Sequence, residues 1–127
     1  MKRLIFSLML VVFVSQNLYA NMHKKAEAEF RNGNINNSLK IFKKSCKKKN
    51  ANSCGMLGYL YEGNKEQVKK DMSKAIHYYE LSCKYGDIRA CGILGDVYTK
   101  KAIYFQKQAC NGGSKNSCRY YKQLKKI

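Results

Sequence analysis

The sequence predicts an all-α protein assembled from repeated helix hairpins, each closed by a disulfide. Three observations predict it. All six cysteines fall into three pairs with seven residues between the partners: Cys46/Cys54, Cys83/Cys91 and Cys110/Cys118. The segments ahead of each first cysteine align as SLKIFKKSC (38–46), AIHYYELSC (75–83) and AIYFQKQAC (102–110). Behind two of the second cysteines comes a matching pair, CGMLGYLY (54–61) and CGILGDVY (91–98). In a continuous helix, residues eight apart stand about 12 Å from each other. A disulfide needs Cα atoms within about 7 Å. If the two cysteines of a pair are joined, the chain reverses between them. Turn-forming residues stand in each interval: Asn50, Gly86-Asp87 and Gly112-Gly113.

The first twenty residues read as a secretory signal peptide. Lys2 and Arg3 precede the apolar run LIFSLMLVVFV, and the small residue Ala20 marks the expected cut. Leu18 fits the position three before the cut poorly. The alternative, an uncleaved anchor, asks for a longer and less interrupted apolar stretch. The expected domains are therefore 1–20, signal peptide, and 21–127, one repeat domain. No membrane span is expected after cleavage.

From there the elements follow in order. HKKAEAEFRNGN predicts a degenerate first helix over about 22–31, ended by Gly33-Asn34. In the three aligned segments small residues recur at Ser38, Ala75 and Ala102. Large apolar ones recur at Leu39, Ile76 and Ile103, and at Ile41, Tyr78 and Phe105. Their spacing gives one apolar helical face. Tyr61, Tyr78 and Tyr98 are expected on apolar faces. Gly58 and Gly95 sit inside otherwise good helices, which costs about 1 kcal/mol each against alanine. They are expected to admit a neighbouring helix at close range. Gly63-Asn64 ends the helix before the GNKEQVKK loop, and Asp71 is a good N-cap for the next one. The last copy, CRYYKQLK, has Lys122 where the others have glycine and reads as a terminal cap.

Composition limits the function. The formal charge is +17, about +15 once Lys2 and Arg3 are removed with the leader. Such a surface attracts anionic partners. The lysines are spread along every predicted helix, and no aromatic-plus-basic motif of a nucleic-acid module is present. Contact with an anionic surface is expected; nucleic-acid binding is not. A domain this small buries a limited core and gains from staples. Six paired cysteines behind an export signal imply an oxidising compartment, periplasmic or secreted. Six cysteines permit 15 pairings, and the threefold repeat of one short spacing favours the local one. Each loop of about nine residues adds roughly 2.5 kcal/mol in the chain-entropy model. Zinc sites show cysteines two to four residues apart with further Cys or His nearby. With only His23 and His77 available, no metal and no cofactor is expected. Redox exchange asks for a shorter Cys-x-x-Cys, so the bridges are expected to be structural.

The pattern resembles Sel1-like repeats, relatives of tetratricopeptide repeats, and more closely the disulfide-bearing Helicobacter cysteine-rich protein family. The residues that carry the likeness are Leu57-Gly58 with Tyr61, the turn YEGN into VKKD (61–71), and Ala75 with Tyr79 and Cys83. They recur as Leu94-Gly95 with Tyr98, and Ala102. The resemblance implies a right-handed solenoid of antiparallel helix pairs, one disulfide per repeat. It also implies a concave side lined by the first helix of each pair. Asn52, Tyr59 and Glu62 would face it, then Arg89 and Asp96, then Asn116, Arg119 and Gln123. An amide, arginine and tyrosine mix suits a peptide backbone and its carboxylate.

One departure matters. Cys46 and Cys83 are 37 apart in sequence, but Cys83 and Cys110 only 27. Ten residues are missing between Tyr98 and Lys100, where the inter-helix turn belongs. No Gly, Pro or Asn lies between Asp96 and Ala109, and the apolar step of three or four continues throughout. One fused helix from about Asp87 to Cys110 is expected, in preference to a hairpin pinched at Thr99. The last full repeat is thus shortened.

No catalytic constellation stands out. The resemblance implies penicillin binding with weak β-lactam hydrolysis, a β-lactamase activity. Ser45-Cys46-Lys47-Lys48 matches the Ser-x-x-Lys element of such enzymes, but the companion Ser-Asp-Asn and Lys-Thr-Gly elements are missing. With seven serines and so many lysines after residue 20, about one such match arises by chance. His77 has an aromatic neighbour and no acidic orienter and reads as an edge histidine. Two functions remain. One is a monomeric exported protein that binds a peptide, cell-wall fragment or partner protein, with the weak β-lactam hydrolysis that the resemblance implies. The alternative is a purely non-catalytic adaptor or host-interaction protein.

Overall fold

The computed structural model describes Ile5, Met9 and residues 20–127. The signal-peptide reading of 1–20 lies almost wholly outside the described residues. No helix among the described residues is long and apolar enough to cross a membrane. Those residues form helices and turns without a strand. The elements from residue 20 onward are α1 (20–31), α2 (Ile35–Lys47), α3 (Ala51–Tyr59), a π-helical turn (Leu60–Asn64), α4 (Met72–Lys84), α5 (Ile88–Asn111) and α6 (Lys115–Leu124). The chain divides into two compact units, Met1–Cys91 and Gly92–Ile127.

The three cysteine pairs close three hairpins of the same construction. Their Cα atoms are 4.8, 4.8 and 4.5 Å apart, as a reversal between them demands. Three residues past each first cysteine the backbone is left-handed: Lys49 (φ 64°), Gly86 (φ 106°) and Gly113 (φ 96°). The next residue is an N-cap. Asn50 accepts from the Ser53 amide at 2.9 Å, Asp87 from the Arg89 amide at 3.1 Å, and Ser114 from the Ser117 amide at 3.3 Å. In the first hairpin the left-handed residue is therefore Lys49, not a glycine. Asn50 starts the helix that follows.

In the first unit α3 lies antiparallel to α4. The Ser82 hydroxyl near the end of α4 donates to the Ala51 carbonyl at the start of α3, 2.8 Å away. Midway, Gly58 meets Tyr79 so closely that a Cβ there would stand 2.7 Å from two ring carbons. The close approach expected at Gly58 is present. Around this contact Phe42, Cys54, Leu57, Leu60 and Ala75 are fully buried. Gly63 ends the π-helical turn with a φ of 92°, and the Asp71 amide returns to the Tyr61 carbonyl at 2.8 Å. Asp71 then caps α4 by accepting from the Lys74 amide at 3.0 Å.

The buried stripe differs from the expected one. Ser38 and Ala75 are buried as expected, but with them go Ile35, Phe42, Ser45 and Cys46 on α2, and Tyr79 and Ser82 on α4. Leu39, Ile41, Ile76 and Tyr78 are only half-buried. The physical reason is approach distance. Small side chains on either side of one central ring bring helices closer than flanking Leu and Ile would. Tyr61 is buried, and Tyr78 stacks on it at 5.6 Å. Tyr98 and Phe105, expected on apolar faces, are 45% and 64% exposed.

In the second unit α5 continues without a break past the place of the missing turn, as expected from the absence of breakers. A turn at 112–114 and the Cys110–Cys118 bridge lead to α6, none of whose residues is buried. Gly95 holds the position of Gly58 in the repeat, yet a Cβ there would meet nothing within 4 Å. The close approach expected at Gly95 is absent. The helix that should fold back against it instead runs on along the same axis.

Candidate functional site

Four of the eight residues expected on the concave side belong to the first unit, and the fold places them around one face of α3. Asn52, Tyr59 and Glu62 follow at intervals of seven and three, so they share one side of α3 and its π-helical extension. Asn52 is exposed, Tyr59 is 40% exposed and Glu62 is half-buried. Arg89 arrives from the start of α5. Its Nε lies 3.3 Å from Asp87 Oδ1, and its side chain is 82% exposed. Asp87 fixes that arginine beside α3: its Oδ2 lies 3.2 Å from where a Cβ on Gly55 would stand. Burial tends to raise the Asp87 pKa, but hydrogen bonds from Arg89 and its positive charge outweigh it and hold the carboxyl below its ordinary range. The carboxylate thus stays ionised and keeps the guanidinium in place.

Tyr79 backs this face. Burial raises its phenol pKa well above the ordinary value, and the charge and hydrogen bond of Glu62 raise it further. The phenol therefore stays protonated and serves Glu62 as a donor. Asn64 completes the corner by donating to the Tyr59 carbonyl at 2.6 Å. Glu62 stands in the π-helical turn Leu60–Asn64. Sequence alone carried no signal for that turn beyond the glycine that ends it.

The other four residues, Asp96, Asn116, Arg119 and Gln123, lie in the second unit, and all are exposed. Asn116, Arg119 and Gln123 share one side of α6, with Arg119 donating to Asn116 Oδ1 at 3.1 Å.

Ser45 is fully buried. Its hydroxyl accepts from Ser53 Oγ at 2.7 Å. Ser53 Oγ in turn lies 2.9 Å from His23 Nδ1, and His23 Nε2 lies 3.4 Å from Glu27 Oε1. This chain has the residue types of a Ser–His–acid relay. Both serines, however, are sealed from solvent, so no acyl substrate reaches either oxygen. The network instead ties α1 to α2 and α3. Burial lowers the His23 pKa, and the nearby Glu27 carboxylate only partly opposes this. Sequence reasoning missed the network because Ser53 is thirty residues from His23. Only the His23/Glu27 spacing of four was visible.

His77 is exposed, as expected. It lines a shallow open basin of about 490 Å³ with Lys43, Lys47, Tyr78, Leu81 and Tyr85. Among the described residues no cluster of three or more His, Cys, Asp or Glu is arranged to hold a metal ion.

No known family profile and no curated protein sequence matches the chain. Its backbone is similar to the crystal structure of a Sel1 repeat protein from Oxalobacter formigenes, with a TM-score of 0.59 and 22% identity over 82% of this chain. The fold is a Sel1-like helical repeat. The chain spans 47% of that neighbour's length. The three local disulfides of this Sel1-like chain fit an oxidising compartment.

Proposed function

We propose that the protein is an exported, non-catalytic adaptor that binds an extended peptide segment of a partner protein along the α3 face. The observations that carry this reading are an exposed aromatic on α3, Tyr59, and an exposed arginine at the start of α5, Arg89, whose Nε lies 3.3 Å from Asp87 Oδ1. Aromatic and arginine side chains are the usual anchors of protein interfaces. Asn52 offers an amide to a peptide backbone, and Arg89 suits a carboxylate on the bound segment. The high positive charge favours an acidic segment. Hydrolysis of β-lactams has no support in the site: the Ser-x-x-Lys serine is enclosed and the exposed face offers no nucleophile–base pair.

The test is a peptide array probed with oxidised protein, followed by calorimetry on the hits. Binding of acidic peptides that weakens about tenfold or more in both Tyr59→Ala and Arg89→Ala supports the reading, since each is a central anchor. Hits indifferent to both substitutions overturn it. So does nitrocefin turnover by the oxidised protein.

A further inference from the structure

The basin beside His77 shares no residue with the α3 face. Lys43 and Lys47 line it from the end of α2, and His77, Tyr78, Leu81 and Tyr85 line it from α4 and its C-cap. Cys46 also lines it, and the bridge to Cys54 holds that residue in place. All of these residues belong to the first unit. A volume of about 490 Å³ lies within the range of small-molecule sites.

One sign of charge lines the basin. Lys43 and Lys47 stand one turn apart on α2, and no Asp or Glu is among the lining residues. Glu80, on α4, does not line it. The four ion pairs among the described residues involve neither lysine. Lys43 is half-buried, and its Nζ lies 5.8 Å from the centroid of the Tyr61 ring, a cation–π contact that restricts where the ammonium goes. Tyr78 is steadied by the same ring, on which it stacks at 5.6 Å. The ends of helices α2 and α4 would ordinarily disfavour an anion. Here their last carbonyls are occupied: those of Ser45 and Cys46 accept from the amides of Lys48, Lys49 and Asn50, and those of Leu81, Ser82 and Cys83 from Tyr85, Asp87 and Gly86.

His77, Tyr78 and Tyr85 bring three rings with polar tips to the same basin. The basin is shallow, so an occupant keeps one side in water. An apolar ring gains little from such partial burial. A sugar gains more, because it lays its C–H face on a tyrosine and leaves its hydroxyls hydrated.

We propose that this basin binds an acidic sugar, a pyranose ring carrying a carboxylate, with Lys43 and Lys47 on the carboxylate and Tyr78 and Tyr85 against the ring. The site is independent of the peptide site on the α3 face.

The test is a titration of the oxidised, isotope-labelled protein followed by the NMR shifts of its backbone amides. Three probes are compared: digalacturonate, its neutral counterpart galactobiose, and acetate. Digalacturonate should saturate shifts at the end of α2 and along α4, and the other two should bind at least tenfold more weakly. Lys43→Gln and Lys47→Gln should each raise the digalacturonate dissociation constant about tenfold, the loss of one charge-assisted hydrogen bond. Lys107→Gln, an exposed lysine of the second unit, controls for overall charge and should change it less than twofold. Tyr59→Ala and Arg89→Ala should leave it unchanged, which separates this site from the peptide site. No saturable binding of digalacturonate overturns the proposal. Equal binding of acetate or galactobiose does the same, as does binding indifferent to both Lys43→Gln and Lys47→Gln.

Discussion

Replacing Gly58 and Gly95 by alanine should move stability in opposite directions, although the two glycines hold the same place in the repeat. At Gly58 the new Cβ would stand 2.7 Å from Cδ1 and Cε1 of Tyr79 and 2.9 Å from Cγ. The ring has little room to yield, since Tyr79 is 4% exposed and its hydroxyl is bonded to Glu62. Overpacking of this kind costs about 1–3 kcal/mol. Alanine returns about 1 kcal/mol of helix propensity. The net expectation for Gly58→Ala is a loss of up to about 2 kcal/mol. At Gly95 nothing stands within 4 Å, so only the propensity gain remains and Gly95→Ala should stabilise α5 by about 1 kcal/mol. Urea unfolding of dilute oxidised protein, followed by circular dichroism, reads both. Shifts of the same sign in the two variants would refute the reasoning, because one glycine is covered and the other open.

Lys49→Gly should stabilise by about 0.5–1 kcal/mol in the same assay, since Lys49 carries a Cβ in a left-handed turn where the other two hairpins have glycine. Lowering the pH should weaken the fold through His23. Its pKa is lowered in the folded protein from an ordinary 6.5, so the unfolded chain takes up the proton first as pH falls. The stability from this group is complete above about pH 6.5 and declines below it. Urea midpoints at pH 7.5 and 5 should show that decline, and His23→Gln should reduce it. Reducing the bridges should cost roughly 2.5 kcal/mol for each one opened, seen as a stepwise fall in the urea midpoint as reductant is raised.

Much of the fold was legible in the sequence, because the covalent spacing and the breakers are local signals. The cysteine interval announced three reversals. Gly63 and Asp71 marked the end of one helix and the start of the next. The lack of any breaker between Asp96 and Ala109 announced the fused helix. What sequence did not give was long-range choice. The reading put Ser38, Leu39 and Ile41 on the inner face, whereas close packing kept Ser38 and took Ile35, Phe42, Ser45 and Cys46 in place of Leu39 and Ile41. Gly95 looked like Gly58, and only the three-dimensional arrangement shows that its partner helix never returns. On the candidate face, Asn52, Tyr59 and Glu62 came from the family resemblance and not from residue types or spacing. The bond of Tyr79 to Glu62 in its π-helical turn, and that of Arg89 to the helix cap Asp87, leave little trace in residue types.

The fold depends most directly on three hairpins, each closed by its own bridge. Trypsin cuts inside every loop, after Lys47, Lys84 and Lys115 among others, so the bridges can be read as linked peptides by mass spectrometry without reduction. The result predicted is three linked pairs, Cys46–Cys54, Cys83–Cys91 and Cys110–Cys118, and no others. Free thiols at any of these positions, or a bridge joining cysteines of different hairpins, would contradict it.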